Sequence, residues 1–194
     1  MTAYVYLHGF NSGPQSLKAR ETRSWLELHA PSVDWYCPQL SPHPEEAIQQ
    51  ARQLIESLPA DTLLIGSSLG GYYACWLAHT LDRKAVLINP AMLPHLDLKQ
   101  FAAELHDSCT DETSTLTRKD LDALMALHIE QPDPARYWVI LGSRDEVLDW
   151  RAAARYFLGS RQTVFNGDNH RLARWPECLP HLADFAAGSS SSGA

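Results

Sequence analysis

The chain has 194 residues, 45% of them hydrophobic and 20% charged, with a formal net charge of -7. That length suits one domain with a sizeable core, and an acidic balance without any basic block argues against a nucleic-acid partner. The opening Met1-Thr2-Ala3-Tyr4-Val5-Tyr6-Leu7-His8 lacks the positive n-region and apolar length of a signal peptide, and no stretch approaches the ~20 apolar residues of a membrane span. Cys37, Cys75, Cys109 and Cys178 form no CxxC pair and read as reduced thiols, so a cytoplasmic location is expected.

Taken in chain order, short apolar runs alternate with helical patterns. Residues 4–7 predict a first strand, ending in His8-Gly9-Phe10-Asn11-Ser12-Gly13. Residues 14–30 predict a helix, with Pro14 in its first turn and Leu17, Trp25 and Leu28 available for a buried face. A short second strand is expected over 33–38. Pro44-Glu45-Glu46 opens the next helix, with proline early and acids in the first turn. Ala47, Ile48, Ala51, Leu54, Ile55 and Leu58 then fall on one stripe at helical spacing.

Residues 62–65 predict a third strand and 69–81 the helix after it. Strands follow over 85–88 and 137–141, then a helix over 149–157, a last strand over 162–165 and a closing helix over 176–185. Most of these strands do not alternate polar and apolar residues. They therefore predict an α/β fold, a doubly wound, mostly parallel sheet of about six strands with helices on both faces. The interval from 91 to about 131 is too long for a plain connection and carries two helical patterns, near 96–106 and 117–128. It reads either as a small cap over an active site or as a crossover with one extra helix. A single domain is expected over 1–187, and the Gly/Ser-rich tail 188–194 is expected to be flexible.

The chemistry concentrates in Leu63-Leu64-Ile65-Gly66-Ser67-Ser68-Leu69-Gly70-Gly71-Tyr72. An apolar strand runs through Gly-x-Ser-x-Gly directly into a helix, which is the layout of a nucleophile elbow. Ser68 has Gly66 and Gly70 at minus two and plus two, whereas Ser67 would need a glycine at Ile65. Ser68 is thus the candidate nucleophile.

An elbow serine needs an acid and then a histidine later in the chain, each at a strand end. Asp145 stands in the glycine-initiated turn just past the strand over 137–141, with Glu146 and Asp149 as rivals; Asp149 also suits a helix cap. His170, alone among nine histidines, follows the last strand on a turn and meets both conditions. The backbone N–H groups of Leu69, after the nucleophile, and Phe10, after the first strand, are the candidate oxyanion hole. In that arrangement His8 braces the loop and Gly9 lets it turn. A metal site built on His8, His170 and an acid has no HExxH or closely spaced ligand pair behind it, so neither metal nor cofactor is expected. Tyr72, Tyr73, Met92, Leu93 and Trp150 are candidates for an acyl pocket, against the commoner fate of apolar residues near an elbow, which is core.

Six segments in one order carry a further resemblance: Tyr6-Leu7-His8-Gly9-Phe10-Asn11-Ser12, Pro38-Gln39-Leu40, Gly66-Ser67-Ser68-Leu69-Gly70-Gly71-Tyr72-Tyr73-Ala74, Asn89-Pro90-Ala91, Asp145-Glu146-Val147-Leu148-Asp149 and Gly167-Asp168-Asn169-His170. Together they resemble the bacterial YqiA/YcfP-like esterases, a compact branch of the α/β-hydrolase superfamily. The resemblance implies cofactor-free hydrolysis of carboxylic esters or acyl thioesters, with the nucleophile on Ser68, the acid on Asp145 and the base on His170. The alternatives are a non-catalytic binding module on the same fold, or the same triad applied to carbon–carbon or peptide bonds.

Overall fold

The computed structural model describes residues 2–93 and 117–188. Six strands, β1 (Ala3–Leu7), β2 (Asp34–Tyr36), β3 (Leu63–Ser67), β4 (Lys84–Ile88), β5 (Tyr137–Gly142) and β6 (Arg161–Phe165), form one sheet in the order β2-β1-β3-β4-β5-β6. Every pairing is parallel, so the whole sheet points its carboxyl ends the same way. Among the described residues the α-helices are α1 (Leu17–His29), α2 (Pro44–Glu56), α3 (Leu69–Thr80), α4 (Arg118–Ala126), α5 (Trp150–Tyr156) and α6 (Leu182–Ala187).

The unbroken apolar runs have a direct cause: each central strand is buried on both faces. Val5, Leu7, Leu64, Leu87, Val139 and Leu141 point into a core shared with α2, α3, α4 and α5. Their neighbours Tyr4, Tyr6, Leu63, Ile65, Val86, Ile88, Trp138 and Ile140 point into a second core with α1 and the C-terminal segment. Side chains alternate between the two faces, and both are apolar.

Two helices depart from expectation. In α1 the buried residues are Ala19, Thr22 and Leu26, whereas Leu17 is 58% and Leu28 76% exposed. The helix is phased by small residues that let it approach the sheet, one step away from the larger apolar side chains. The closing helix is split: Trp175–His181 is a 3-10 segment containing Pro180, and only Leu182–Ala187 is α-helical. Proline has no N–H and clashes with the preceding turn, so one continuous helix cannot pass through it.

Of the interval from 91 to 131, the expected helix near 96–106 lies outside the described residues. The one near 117–128 is α4, closed at its start by a capping box between Thr117 and Asp120. It buries Leu124 against α2 and α3, where the Tyr72 hydroxyl donates to the Leu124 carbonyl at 2.8 Å. Cys37, Cys75 and Cys178 are free thiols; Cys109 and the tail from Ser189 lie outside the described residues. Among the described residues, no helix is long and apolar enough to cross a membrane.

Candidate active site

Strand β3 passes into α3 through Ser68, whose backbone sits at φ 56°, ψ -120°. That is a strained conformation for a residue bearing a side chain, costing on the order of 1–3 kcal/mol, and it persists only where surroundings enforce it. The Ser68 N–H donates to the Ile88 carbonyl at 3.0 Å, and the Ser68 carbonyl accepts from Gly71, Tyr72 and Ala91 N–H groups. The elbow glycines are steric necessities. A Cβ on Gly66 would stand 2.2 Å from the Gly70 carbonyl oxygen, and one on Gly70 would stand 2.0 Å from that of Leu7.

The loop after β1 lies against this serine. A Cβ on Gly9 would come within 3.3 Å of the Ser68 Cβ and 3.9 Å of its Oγ. His8, 5% exposed, holds the loop from beneath. Its Nδ1–H donates to the Gly9 carbonyl at 2.9 Å, and its Nε2 accepts the Leu40 N–H at 3.0 Å. These partners require the neutral ring, and burial pushes its pKa down, against an opposing bond to the Gly9 carbonyl. Among the described residues, neither the Phe10 nor the Leu69 backbone N–H has a hydrogen-bond acceptor.

The acid and the histidine meet across the ends of β5 and β6. The His170 Nδ1–H donates to Asp145 Oδ2 at 2.8 Å, with the Asp145 side chain 1% exposed and that of His170 20% exposed. The other carboxylate oxygen, Oδ1, accepts the Val147 and Leu148 N–H groups at 2.8 and 2.9 Å. Both oxygens are therefore engaged, and the imidazole is turned to offer a bare Nε2. The rivals do other work. Asp149 caps α5, accepting the Arg151 N–H, and Glu146 Oε2 accepts the backbone N–H of His170 at 3.1 Å.

Asn89 organises this half of the site, and sequence reasoning assigned it no such part. It follows β4 at φ 39° and is 2% exposed. Its Oδ1 accepts the Gly142 N–H at 2.8 Å, while its Nδ2 donates to the carbonyls of Asn169 at 3.2 Å and His170 at 3.0 Å. One amide thus ties the end of β4 to the Asp145 turn and to the His170 loop. An asparagine wedged between an apolar strand and Pro90 was the available signal, since asparagine tolerates positive φ.

Ser68, Leu69, Gly9, Phe10 and His170 line one cavity of about 390 Å³, together with Tyr6, Leu17, Leu148 and others. No hydrogen bond joins Ser68 Oγ to His170 Nε2 among the described residues; such contacts are often long before substrate is bound. The candidate acyl-pocket residues do not line this cavity, although Tyr73 lines a neighbouring one with Gly9, Phe10 and Leu69. Tyr72 and Tyr73 belong to the core, Met92 and Trp150 pack partly buried against it, and Leu93 is 43% exposed. The apolar wall comes instead from Tyr6 of β1, Phe10 in the loop after it, Leu17 of α1, Leu69 of α3, Ala91 after β4 and Leu148 after β5. Among the described residues no group of three His, Cys, Asp or Glu side chains is arranged to hold a metal ion.

The model of the family described as "Uncharacterised protein family (UPF0227)" matches residues 3–187. The UPF0227 protein YcfP of Salmonella gallinarum is 24% identical over 183 residues, covering 92% of this chain and 93% of that one. Among solved structures, the alpha/beta hydrolase domain-containing protein 10 from mouse superposes with a TM-score of 0.72 at 13% identity, covering 97% of this chain and 90% of that one. An esterase of Pyrococcus furiosus, PF2001, superposes with a TM-score of 0.68 at 14% identity, covering 96% and 81%. The fold is that of the α/β-hydrolases.

Proposed function

We propose that this chain, which belongs to the UPF0227 family, is a serine hydrolase that cleaves carboxylic esters, acyl thioesters included, through an acyl-enzyme. Ser68 Oγ attacks the acyl carbon while His170 Nε2 takes its proton. Asp145 keeps the proton on Nδ1 and steadies the imidazolium that forms. The Phe10 and Leu69 N–H groups receive the negative charge on the acyl oxygen. Removing one such donor typically costs about 3–4 kcal/mol of transition-state stabilisation. The C–O or C–S bond breaks as His170 returns its proton to the leaving group. Water, deprotonated by His170, then attacks the acyl carbon, the acid departs, and Ser68 Oγ recovers its proton.

The observation that carries this reading is the buried Asp145–His170 pair on the same cavity as a strained elbow serine. A structural aspartate has no need to aim an imidazole at open space. The test is active-site labelling with a fluorophosphonate followed by peptide mapping. Ser68 should carry the adduct and Ser68→Ala should abolish both labelling and ester turnover. An active chain that the probe leaves untouched, or a Ser68→Ala variant that still turns over ester, overturns the scheme.

A further inference from the structure

The chain as a whole is acidic, with 23 Asp and Glu against 16 Lys and Arg. Among the side chains that line the Ser68 cavity that balance is reversed, with Glu21 and Asp168 close enough to act on Lys18 from outside the lining. The cavity's charged lining residues, besides His170, are Lys18 and Arg171, and no carboxylate is among the described lining. Asp145 is sealed behind the imidazole at 1% exposure. An excess of positive charge on a cleft wall raises the local concentration of anions.

Both cationic residues lie together on the cavity wall. Arg171 directly follows His170, and the Lys18 Nζ donates to the Arg171 carbonyl at 2.6 Å, leaving two further N–H groups on that ammonium. The Arg171 guanidinium makes no ion pair among the described residues. Lys18 also stands in the first turn of α1. There the first helical N–H to find a backbone acceptor is that of Arg20, bonded to Ser16. The partial positive charge of the helix start therefore adds to the two side chains. The remainder of the wall is uncharged: Tyr6, Phe10, Leu17, Leu69, Ala91 and Leu148 supply apolar surface, and Ser12, Ser16 and Ser67 stand among them.

We infer that the substrate carries an anionic oxyacid group, carboxylate or phosphate, on its leaving-group half, bound between Lys18 and Arg171. The half is assigned by chemistry. His170 must hand a proton to the departing oxygen or sulfur, so the leaving group lies beside the imidazole, and Arg171 is the next residue in the chain with Lys18 bonded to its carbonyl. The acyl half then faces the apolar wall. This inference rests on the hydrolase reading above and names the substrate class for that same site.

The experiment compares kcat/KM for matched esters: 4-butyryloxybenzoate against its neutral amide, 4-butyryloxyphenyl phosphate against its dimethyl ester, and 4-nitrophenyl hemiglutarate against 4-nitrophenyl butyrate. The wild-type chain should favour the anion in one or both of the first two pairs; which of them shows the preference tells carboxylate from phosphate. It should show none in the third, where the charge is on the acyl half. In Lys18→Met/Arg171→Leu the anionic-to-neutral ratio should fall about tenfold, the loss expected for two partly exposed ion pairs. The effect should sit mainly in KM and shrink with added salt. Lys18→Arg should retain the ratio. A merely structural loss of the Lys18 bond to the His170 loop would lower both members of a pair alike and leave the ratio fixed; that result overturns the inference. So does a preference confined to the hemiglutarate. Turnover of neutral esters without any charge preference overturns it while leaving the hydrolase reading intact. Absence of turnover in every pair overturns both.

Discussion

Asn89→Ala tests whether one buried amide holds His170 in the place that the proposed mechanism needs. The Asn169 carbonyl keeps a partner after the change, because it also accepts the Leu172 N–H at 3.0 Å. The Gly142 N–H and the His170 carbonyl do not: each has the Asn89 amide as its hydrogen-bond partner among the described residues. A buried polar group left unpaired costs about 1–3 kcal/mol, so two of them predict a loss of about 2–6 kcal/mol. Alanine at φ 39° adds about 1–2 kcal/mol more, since a positive φ suits alanine less well than asparagine. Activity should fall further than stability alone explains. The His170 loop is released by one of its ties, and a displacement of about 1 Å costs roughly 100-fold in rate. Urea unfolding gives the first quantity and kcat/KM at saturating folded fraction gives the second. A variant that loses under 1 kcal/mol and keeps full activity would refute the assignment of Asn89 as a positioning residue.

Asp145→Asn should lower kcat by about 10³–10⁴-fold, by favouring the wrong imidazole tautomer, while Asp149→Asn should leave activity and stability nearly unchanged because asparagine caps a helix as well as aspartate does. Steady-state ester kinetics separate the two, and the reverse ranking would move the acid to Asp149. A third expectation concerns pH. The folded-state pKa of His8 lies below its unfolded value near 6.5, so between the two the unfolded chain binds the extra proton and stability rises with pH. The contribution of His8 is complete above about pH 6.5 and is lost as pH falls below it towards the folded pKa. Urea midpoints at pH 5 and 7 should differ more in wild type than in His8→Ala; equal slopes would remove His8 as the cause.

The sheet was legible because burial on two faces leaves an apolar run that no surface element imitates, as at Leu63–Ser67 and Tyr137–Gly142. The elbow was legible because its glycines answer backbone collisions that depend only on local geometry. Asp145 and His170 followed from chain order and strand ends, which the parallel topology converts into proximity. What escaped detection depends on partners distant in sequence. The phase of α1 is set by how closely Ala19 can approach the sheet, and Leu17 is thereby turned to the cavity rim. Lys18 and Arg171 are 153 positions apart and meet only in the folded chain. The three bonds of Asn89 reach residues 53 to 81 positions away, and no spacing rule anticipates them.

Neighbouring strands β1 and β3 carry the serine and the loop that faces it, in a register that sets Leu7 beside Gly66. Their separation is one ladder spacing, about 4.8 Å, maintained by the hydrogen bonds of the sheet itself. The imidazole arrives from the far side of β4, on a turn secured by side-chain amides and carboxylates. The candidate site therefore has one half fixed by the sheet ladder and one half fixed by side-chain bonds. Gentle heating or dilute denaturant should silence it by letting the base swing away while the nucleophile and its anion cradle remain assembled, so that inactivation precedes any loss of ellipticity.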